Sequence, residues 1–176
     1  VPKPNSKVLI GELFDKLNKP KICQVEGHVY AGGLLIVSGC NYVIANSDII
    51  FGLPEVKRGI FPMQVMESLS KIIPFKKLID WCVRGYDLDT NTAKKWGLVD
   101  ELVQKNQMEK SIKKWLDDIN LNSPSAINFG LKAAYEIKSV KSNHKYLSKM
   151  LTKLLETNDA KEGIQAFIEK RKPKWE

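Results

Sequence analysis

Short, mostly apolar runs alternate along the chain with stretches whose apolar residues return every three or four positions. The first pattern marks buried strands and the second amphipathic helices. Ile22 to Val25, Asn41 to Ala45 and Ile49 to Phe51 read as strands. After a polar opening over Val1 to Lys7, the residues Val8, Leu9, Leu13, Phe14 and Leu17 have helical spacing, and Pro20 stops that helix. Gly27 ends the first strand, and Gly32-Gly33 open an apolar run to Val37 that reads as a buried helix. Pro62 can begin a helix with the stripe Val65, Met66, Leu69, Ile72 and Ile73. Pro74 separates it from a helix over Phe75 to Arg84, which Gly85 terminates.

Further on, Asp89 can cap a short helix that ends at Gly97. Met108, Ile112, Trp115, Leu116 and Ile119 mark another helix, and from Ser123-Pro124 onward the chain reads as helical. Leu147, Met150, Leu151, Leu154 and Leu155 form one apolar stripe, and Ile164, Phe167 and Ile168 are expected to bury the last helix. Asp159 followed by Glu162 is close to a capping box for it. Alternating strands and helices followed by a helical tail predict an α/β class.

Composition narrows the picture. The 176 residues support one domain with a core, and no run is long and apolar enough to span a bilayer. No secretory pattern opens at Val1, but the chain does not begin with Met and reads as part of something longer. The 28 Lys and Arg outweigh 20 Asp and Glu, giving a net charge of +8 that attracts anions. The lysines are spread as a solvated surface, clustering only at Lys170-Arg171-Lys172-Pro173-Lys174. No aromatic and basic interleaving is present, which argues against nucleic acid. Cys23, Cys40 and Cys82 lie in apolar surroundings and read as reduced, buried thiols. His28 and His144 are too far apart to suggest a metal.

Chemistry concentrates where a strand, a glycine turn and a helix follow one another. The first N–H groups of a helix lack partners within it, and glycines let another group approach the backbone. The stretch Val25 to Cys40 could therefore hold a negatively charged oxygen. Four landmarks accompany it: Phe51-Gly52-Leu53-Pro54-Glu55, Ala93-Lys94-Lys95-Trp96-Gly97-Leu98-Val99, Asp159-Ala160-Lys161-Glu162-Gly163, and Phe167 to Pro173. In this order and spacing they resemble the crotonase family (enoyl-CoA hydratase/isomerase), from about Lys19 to Lys174.

The resemblance implies a ClpP/crotonase-like fold of layered β-sheets and helices. Residues 1–105 would be the later part of the α/β core and 106–176 a helical region that builds homotrimers or hexamers. It implies an acyl-CoA thioester as substrate, with coenzyme A as part of it and no further cofactor. One oxyanion donor falls on the Gly32 N–H; the second is expected from a segment upstream of Val1, in the family's N-terminal portion. Glu55 matches a catalytic carboxylate. Tyr30, Ala31, Gly33, Leu35, Pro54 and Pro62 match positions around the substrate, and Lys170, with Arg171, a basic cluster near the CoA phosphates. His28 reads as a turn residue beside the hole, and Glu26 stands where asparagine is common.

Hydratases of the family employ a second glutamate three residues after the oxyanion glycine, and here that position is Leu35. An apolar residue there suits isomerases, which need only one base, whereas Gly59-Ile60-Phe61-Pro62-Met63 looks like hydratase relatives. The expectation is thus the hydratase/isomerase class, leaning to isomerase. The alternatives are a catalytically silent CoA-binding or assembly subunit, or an RNA-binding relative. A cytoplasmic location is expected, with the mitochondrial matrix as the alternative.

Overall fold

Two small sheets organise the first part of the chain in the computed structural model, which describes residues 10, 13, 14, 17–59, 61–139, 153 and 156–175. The Leu147 to Leu155 stripe, His144 and most of the helix expected over 8–17 lie outside the described residues. The strands are β1 (Ile22–Val25), β2 (Val29–Tyr30), β3 (Tyr42–Asn46), β4 (Ile50–Gly52), β5 (Asp87–Asp89) and β6 (Glu101–Val103). The helices are α1 (Gly33–Gly39), α2 (Met63–Leu69), α3 (Phe75–Arg84), α4 (Thr90–Lys95), α5 (Met108–Asn120), α6 (Pro124–Ser139) and α7 (Asn158–Ile168). Lys21–Lys113 belong to one compact unit, and Lys114–Glu176 with Asn18–Pro20 to a second.

In the first unit, one sheet has the order β1-β3-β6 and the other β2-β4-β5. β3 runs parallel to both β1 and β6, with Cys23 opposite Val43 and Ala45 opposite Leu102. Asp100 fastens β6 to β3 twice: its Oδ2 accepts from the Val43 N–H at 2.7 Å and its own N–H donates to the Val43 carbonyl at 2.9 Å. β2 pairs parallel with β4, and β5 antiparallel on β4's other side. Leu34, Phe51, Leu53, Leu69, Leu78 and Trp81 are fully buried between these elements. The Trp81 indole donates to the Tyr86 carbonyl at 2.8 Å, satisfying its one polar atom.

Several predicted boundaries hold. Gly85 ends α3 with φ 59°, a left-handed conformation that favours glycine. Asp89 caps α4 by accepting from the Thr92 N–H at 2.9 Å. Pro62 sits one residue before α2 rather than inside it. β2, β5 and β6 do not follow from apolar runs: they are two or three residues long, and β5 buries only Leu88.

The second unit corrects two readings. The first turn of α7 is capped by Thr157, whose Oγ1 accepts from the Ala160 N–H at 3.2 Å, and not by Asp159. Asp159 is 3% exposed and turns to α6 instead: its Oδ2 accepts from Ser123 Oγ at 2.9 Å and from the Ser125 N–H at 3.0 Å. Ser123 Oγ in turn accepts from the Ala126 N–H at 3.1 Å. This burial fixes the rotation of α7. Ala166, seven residues on, lies on the same face as Asp159 and is buried, while Ile164 and Ile168 are 53% and 67% exposed rather than buried.

Removing the carboxylate strands two donors at the start of α6. Asp159→Ala is expected to destabilise the protein by about 1–3 kcal/mol, with Asp159→Asn, which keeps an acceptor, losing less. Thermal unfolding followed by circular dichroism checks both.

Candidate active site

The site is built on the pairing of β2 with β4. Val29 lies opposite Phe51 and Tyr30 opposite Gly52, and the Ala31 N–H extends the ladder by donating to the Gly52 carbonyl at 3.0 Å. Two parallel strands therefore end side by side. The chain leaving β2 reaches Gly32 two residues later; the chain leaving β4 reaches Glu55 three residues later. Crevices beyond the carboxyl ends of parallel strands are the usual place for ligands in α/β sheets.

Ala31, and neither glycine, makes the sharp turn into α1: its φ is 51°, a left-handed conformation rare for a residue with a side chain. Gly32 has φ −57° and ψ −20°, ordinary helical values. The glycines matter for what they lack. A Cβ on Gly33 would lie 3.1 Å from Val29 Cγ1, whereas one on Gly32 would meet nothing within 4 Å. The Gly32 carbonyl accepts from the Leu35 N–H at 3.1 Å, but among the described residues no acceptor takes the Gly32 N–H. A donor next to open space is thus left at the turn.

Pro54 starts a single turn of 3₁₀ helix over Pro54–Arg58, which Gly59 closes at φ 74°. That turn points Lys57 and Arg58 to solvent and buries Glu55, which is 8% exposed. Among the described residues, Glu55 Oε2 is buried with no hydrogen-bond partner. Buried polar atoms nearly always have one, so an orphaned carboxylate oxygen marks a functional candidate. Behind the turn packs the end of α3: a Cβ on Gly85 would lie 2.8 Å from Val56 Cγ2 and 3.1 Å from the Leu53 carbonyl. Cys82, fully buried in α3, was not singled out from sequence as a neighbour of this carboxylate. Burial pushes its thiol up to about 11, and the charge of Glu55 adds to the rise.

Other predicted residues take definite places. Leu35 is buried in the core with Leu34 and Val37, so α1 presents no carboxylate there. The half-exposed Tyr30 lays its ring over Gly52, where a Cβ would come within 2.4 Å of it. His28 is occupied structurally: its Nδ1 accepts from the Ile50 N–H at 3.1 Å, holding the start of β4, and its ring meets Tyr30 edge-on. Nothing in the structure explains Glu26, which accepts from the Gln24 side chain.

Lys170 belongs to the second unit, on an exposed turn after α7 with φ 56°. Arg171 is already engaged. Its guanidinium grips Glu162 through two hydrogen bonds, one of 2.9 Å, and donates to Glu169 through Nε. Among the described residues, no group of three His, Cys, Asp or Glu could hold a metal ion.

Residues 3–176 match a family model described as enoyl-CoA hydratase/isomerase. The chain is 30% identical to a mevalonyl-coenzyme A hydratase of Aspergillus fumigatus over 163 residues, covering 90% of this chain and 60% of that protein. It is 31% identical to a carnitinyl-CoA dehydratase of Citrobacter koseri over 172 residues, covering 93% and 65%. Among solved structures, an enoyl-CoA hydratase from Mycobacterium marinum has a TM-score of 0.82 at 30% identity, covering 90% of this chain and 66% of that one. An enoyl-CoA hydratase/isomerase from Mycobacterium paratuberculosis has a TM-score of 0.85 at 26% identity, covering 93% and 66%. The chain spans roughly 60–65% of the length of these two curated relatives.

The Arg171 grip has a pH signature. Hydrogen bonds from Arg171, joined by the Lys174 N–H, lower the Glu162 carboxyl from its ordinary 4.5 to about 2. A depressed acid stabilises the fold above its unfolded value and loses that contribution as pH falls through the folded one. The melting temperature is therefore expected to drop between about pH 4.5 and pH 2 more steeply in the unaltered protein than in Glu162→Gln, as pH-dependent calorimetry would show.

Proposed function

Because this chain belongs to the enoyl-CoA hydratase/isomerase family and has its crotonase fold, we propose that it carries the proton-transfer half of an acyl-CoA active site. In this reading Glu55 is the acid/base and the Gly32 N–H one oxyanion donor. The observation that carries it is Glu55 Oε2, buried and, among the described residues, without a partner, in the turn that follows β4. The family's chemistry supplies the missing partner: a carbon-bound proton beside a thioester carbonyl.

The residues favour a reaction with one carboxylate. For a 3-enoyl-CoA, Glu55 takes a proton from the carbon next to the carbonyl. The electron pair moves into the thioester oxygen, which the Gly32 N–H stabilises. Glu55 then returns the proton to the far end of the double bond, which shifts one position toward the thioester. Leu35 cannot move a proton and suits this scheme. A second reading, addition or removal of water, is favoured by relatives named as a hydratase and a dehydratase. Water addition would then fall to Glu55 alone.

Tyr30, Ala31, Gly33, Pro54 and Pro62 are proposed to surround the acyl chain, with Leu35 backing this wall from the core, and Lys170 to meet the CoA phosphates. Coenzyme A enters as part of the substrate. We assign a homotrimer or hexamer on family grounds, with the exposed Ile164 and Ile168 as apolar surface for such an assembly to cover. Among the described residues no helix is long and apolar enough to cross a membrane, and the proposed compartment is the cytoplasm or mitochondrial matrix.

The protein carrying this chain, offered a 3-enoyl-CoA and crotonyl-CoA, should isomerise the first, followed by absorbance. Glu55→Gln is expected to lower the rate by about 10²–10⁴-fold with the fold intact. Gly32→Pro removes the N–H at a φ that proline adopts, while adding a ring to the open space and restricting Ala31 before it, and should cost at least roughly 10²–10³-fold. Turnover of crotonyl-CoA alone selects the hydration reading; turnover of neither, or full activity in Glu55→Gln, discards the assignment.

A further inference from the structure

Glu55 stands on a slight support. Its 3₁₀ turn is five residues long and closes through the Gly59 N–H, which reaches the Val56 carbonyl at 3.2 Å. The end of α3, packed behind it, is held far more firmly. Leu78, Trp81 and Cys82 are fully buried. The Trp81 ring meets Trp96 edge-on, with centroids 6.1 Å apart, and the Trp81 carbonyl accepts from the Gly85 N–H at 2.8 Å. A close-packed element of this kind does not give way, so any conflict between the two is settled by the turn.

Gly85 is where they touch. It turns the chain out of α3, and two residues later Asp87 begins β5 opposite Gly52, the last residue of β4. β4 runs on through Leu53 and Pro54 to Glu55, so this corner bears on the turn both through the strand and from behind. A Cβ on Gly85 would stand 2.8 Å from Val56 Cγ2, 3.1 Å from the Leu53 carbonyl and 3.6 Å from Lys57 Cε. Leu53 and Val56 flank Pro54 and Glu55. Val56 is β-branched and stiff at χ1, so its methyl cannot simply swing aside. The left-handed backbone does not by itself demand glycine, since Ala31 holds φ 51° in the same chain. What the corner requires is the missing side chain.

We propose that Gly85 is a positioning residue for Glu55, an inference that rests on Glu55 being the acid/base proposed above. With no side chain at 85, the corner between α3 and β5 lies flush against Leu53 and Val56 and fixes where the Glu55 carboxyl stands. A Cβ there pushes the turn away from α3 and carries the carboxyl with it. Proton transfer needs the carboxyl within hydrogen-bond reach of the reacting carbon, and about 1 Å of misplacement can cost roughly 10²-fold. Substrate binding is spread over other residues and changes little, so the loss falls on the chemical step.

The test is steady-state kinetics on the protein carrying the full chain, with whichever of a 3-enoyl-CoA and crotonyl-CoA it turns over. Gly85→Ala should lower kcat roughly 10–100-fold and leave KM within about twofold. Gly85→Asn brings the same Cβ on a residue that tolerates the left-handed region, and should lose as much. Val56→Ala alone should keep kcat, and added to Gly85→Ala it should restore most of the loss. Lost stability cannot produce that recovery, because Val56→Ala itself removes packing. Circular dichroism at the assay temperature establishes which variants are folded. Unchanged kcat in a folded Gly85 variant, or no recovery in the double variant, overturns the positioning role. Failure of both single Gly85 variants to fold makes Gly85 structural and overturns it too. Glu55→Gln is measured alongside: its inactivity leaves the acid/base reading standing in each of these cases, and its full activity removes both.

Discussion

The Ala31 N–H reaches the Gly52 carbonyl across 3.0 Å, and this bond closes a ladder between two strands of only two and three residues. Parallel pairing has no hairpin to enforce it. The register rests on Phe51, fully buried, on His28 gripping the Ile50 N–H, and on the Tyr30 ring lying against a strand position without a side chain. A one-residue slip would turn Phe51 to the wrong face and put a Cβ under Tyr30. The pairing also decides where both loops begin. Ala31 takes up a strained conformation to leave it, and Pro54 a rigid one, so the Gly32 donor and the Glu55 carboxyl share one end of the sheet.

Much of this was legible from residues, and the failures have physical reasons. Tyr42 to Asn46 announces itself because its central Val43, Ile44 and Ala45 are buried on both faces, and Ile22 to Val25 through Ile22, Cys23 and Val25, although Gln24 between them is exposed. Gly85 and Asp89 act through local stereochemistry and appear where their types predict. β5, Asp-Leu-Asp, is invisible because β4 alone makes it a strand. The left-handed residue of the turn is Ala31, although the adjacent glycines advertise conformational freedom; their absent side chains are what the site uses. Ile164 and Ile168 look like core by periodicity, but Asp159 fixes which face of α7 turns inward. Cys82 beside Glu55 carried no signal, since 27 residues of sequence separate them.

The candidate site therefore combines a tightly held frame with two groups left without a partner among the described residues. Glu55 is kept from water by a turn whose basic residues face outward, and among the described residues no partner relieves the cost of burying its Oε2. Leu35, where a second carboxylate would stand, contributes to the core instead. With Leu35 apolar, α1 brings no further buried charge to the turn.

Asp159 shows how an arrangement in space constrains events in time. The two donors it receives belong to Ser123 and Ser125, 36 and 34 residues earlier in the chain. During synthesis those residues emerge from the ribosome first, so the Ser125 N–H lacks its carboxylate acceptor until the beginning of α7 is made, while the Ser123 cap of Ala126 forms locally. The two helices are then expected to form together and to open together, as one cooperative unit.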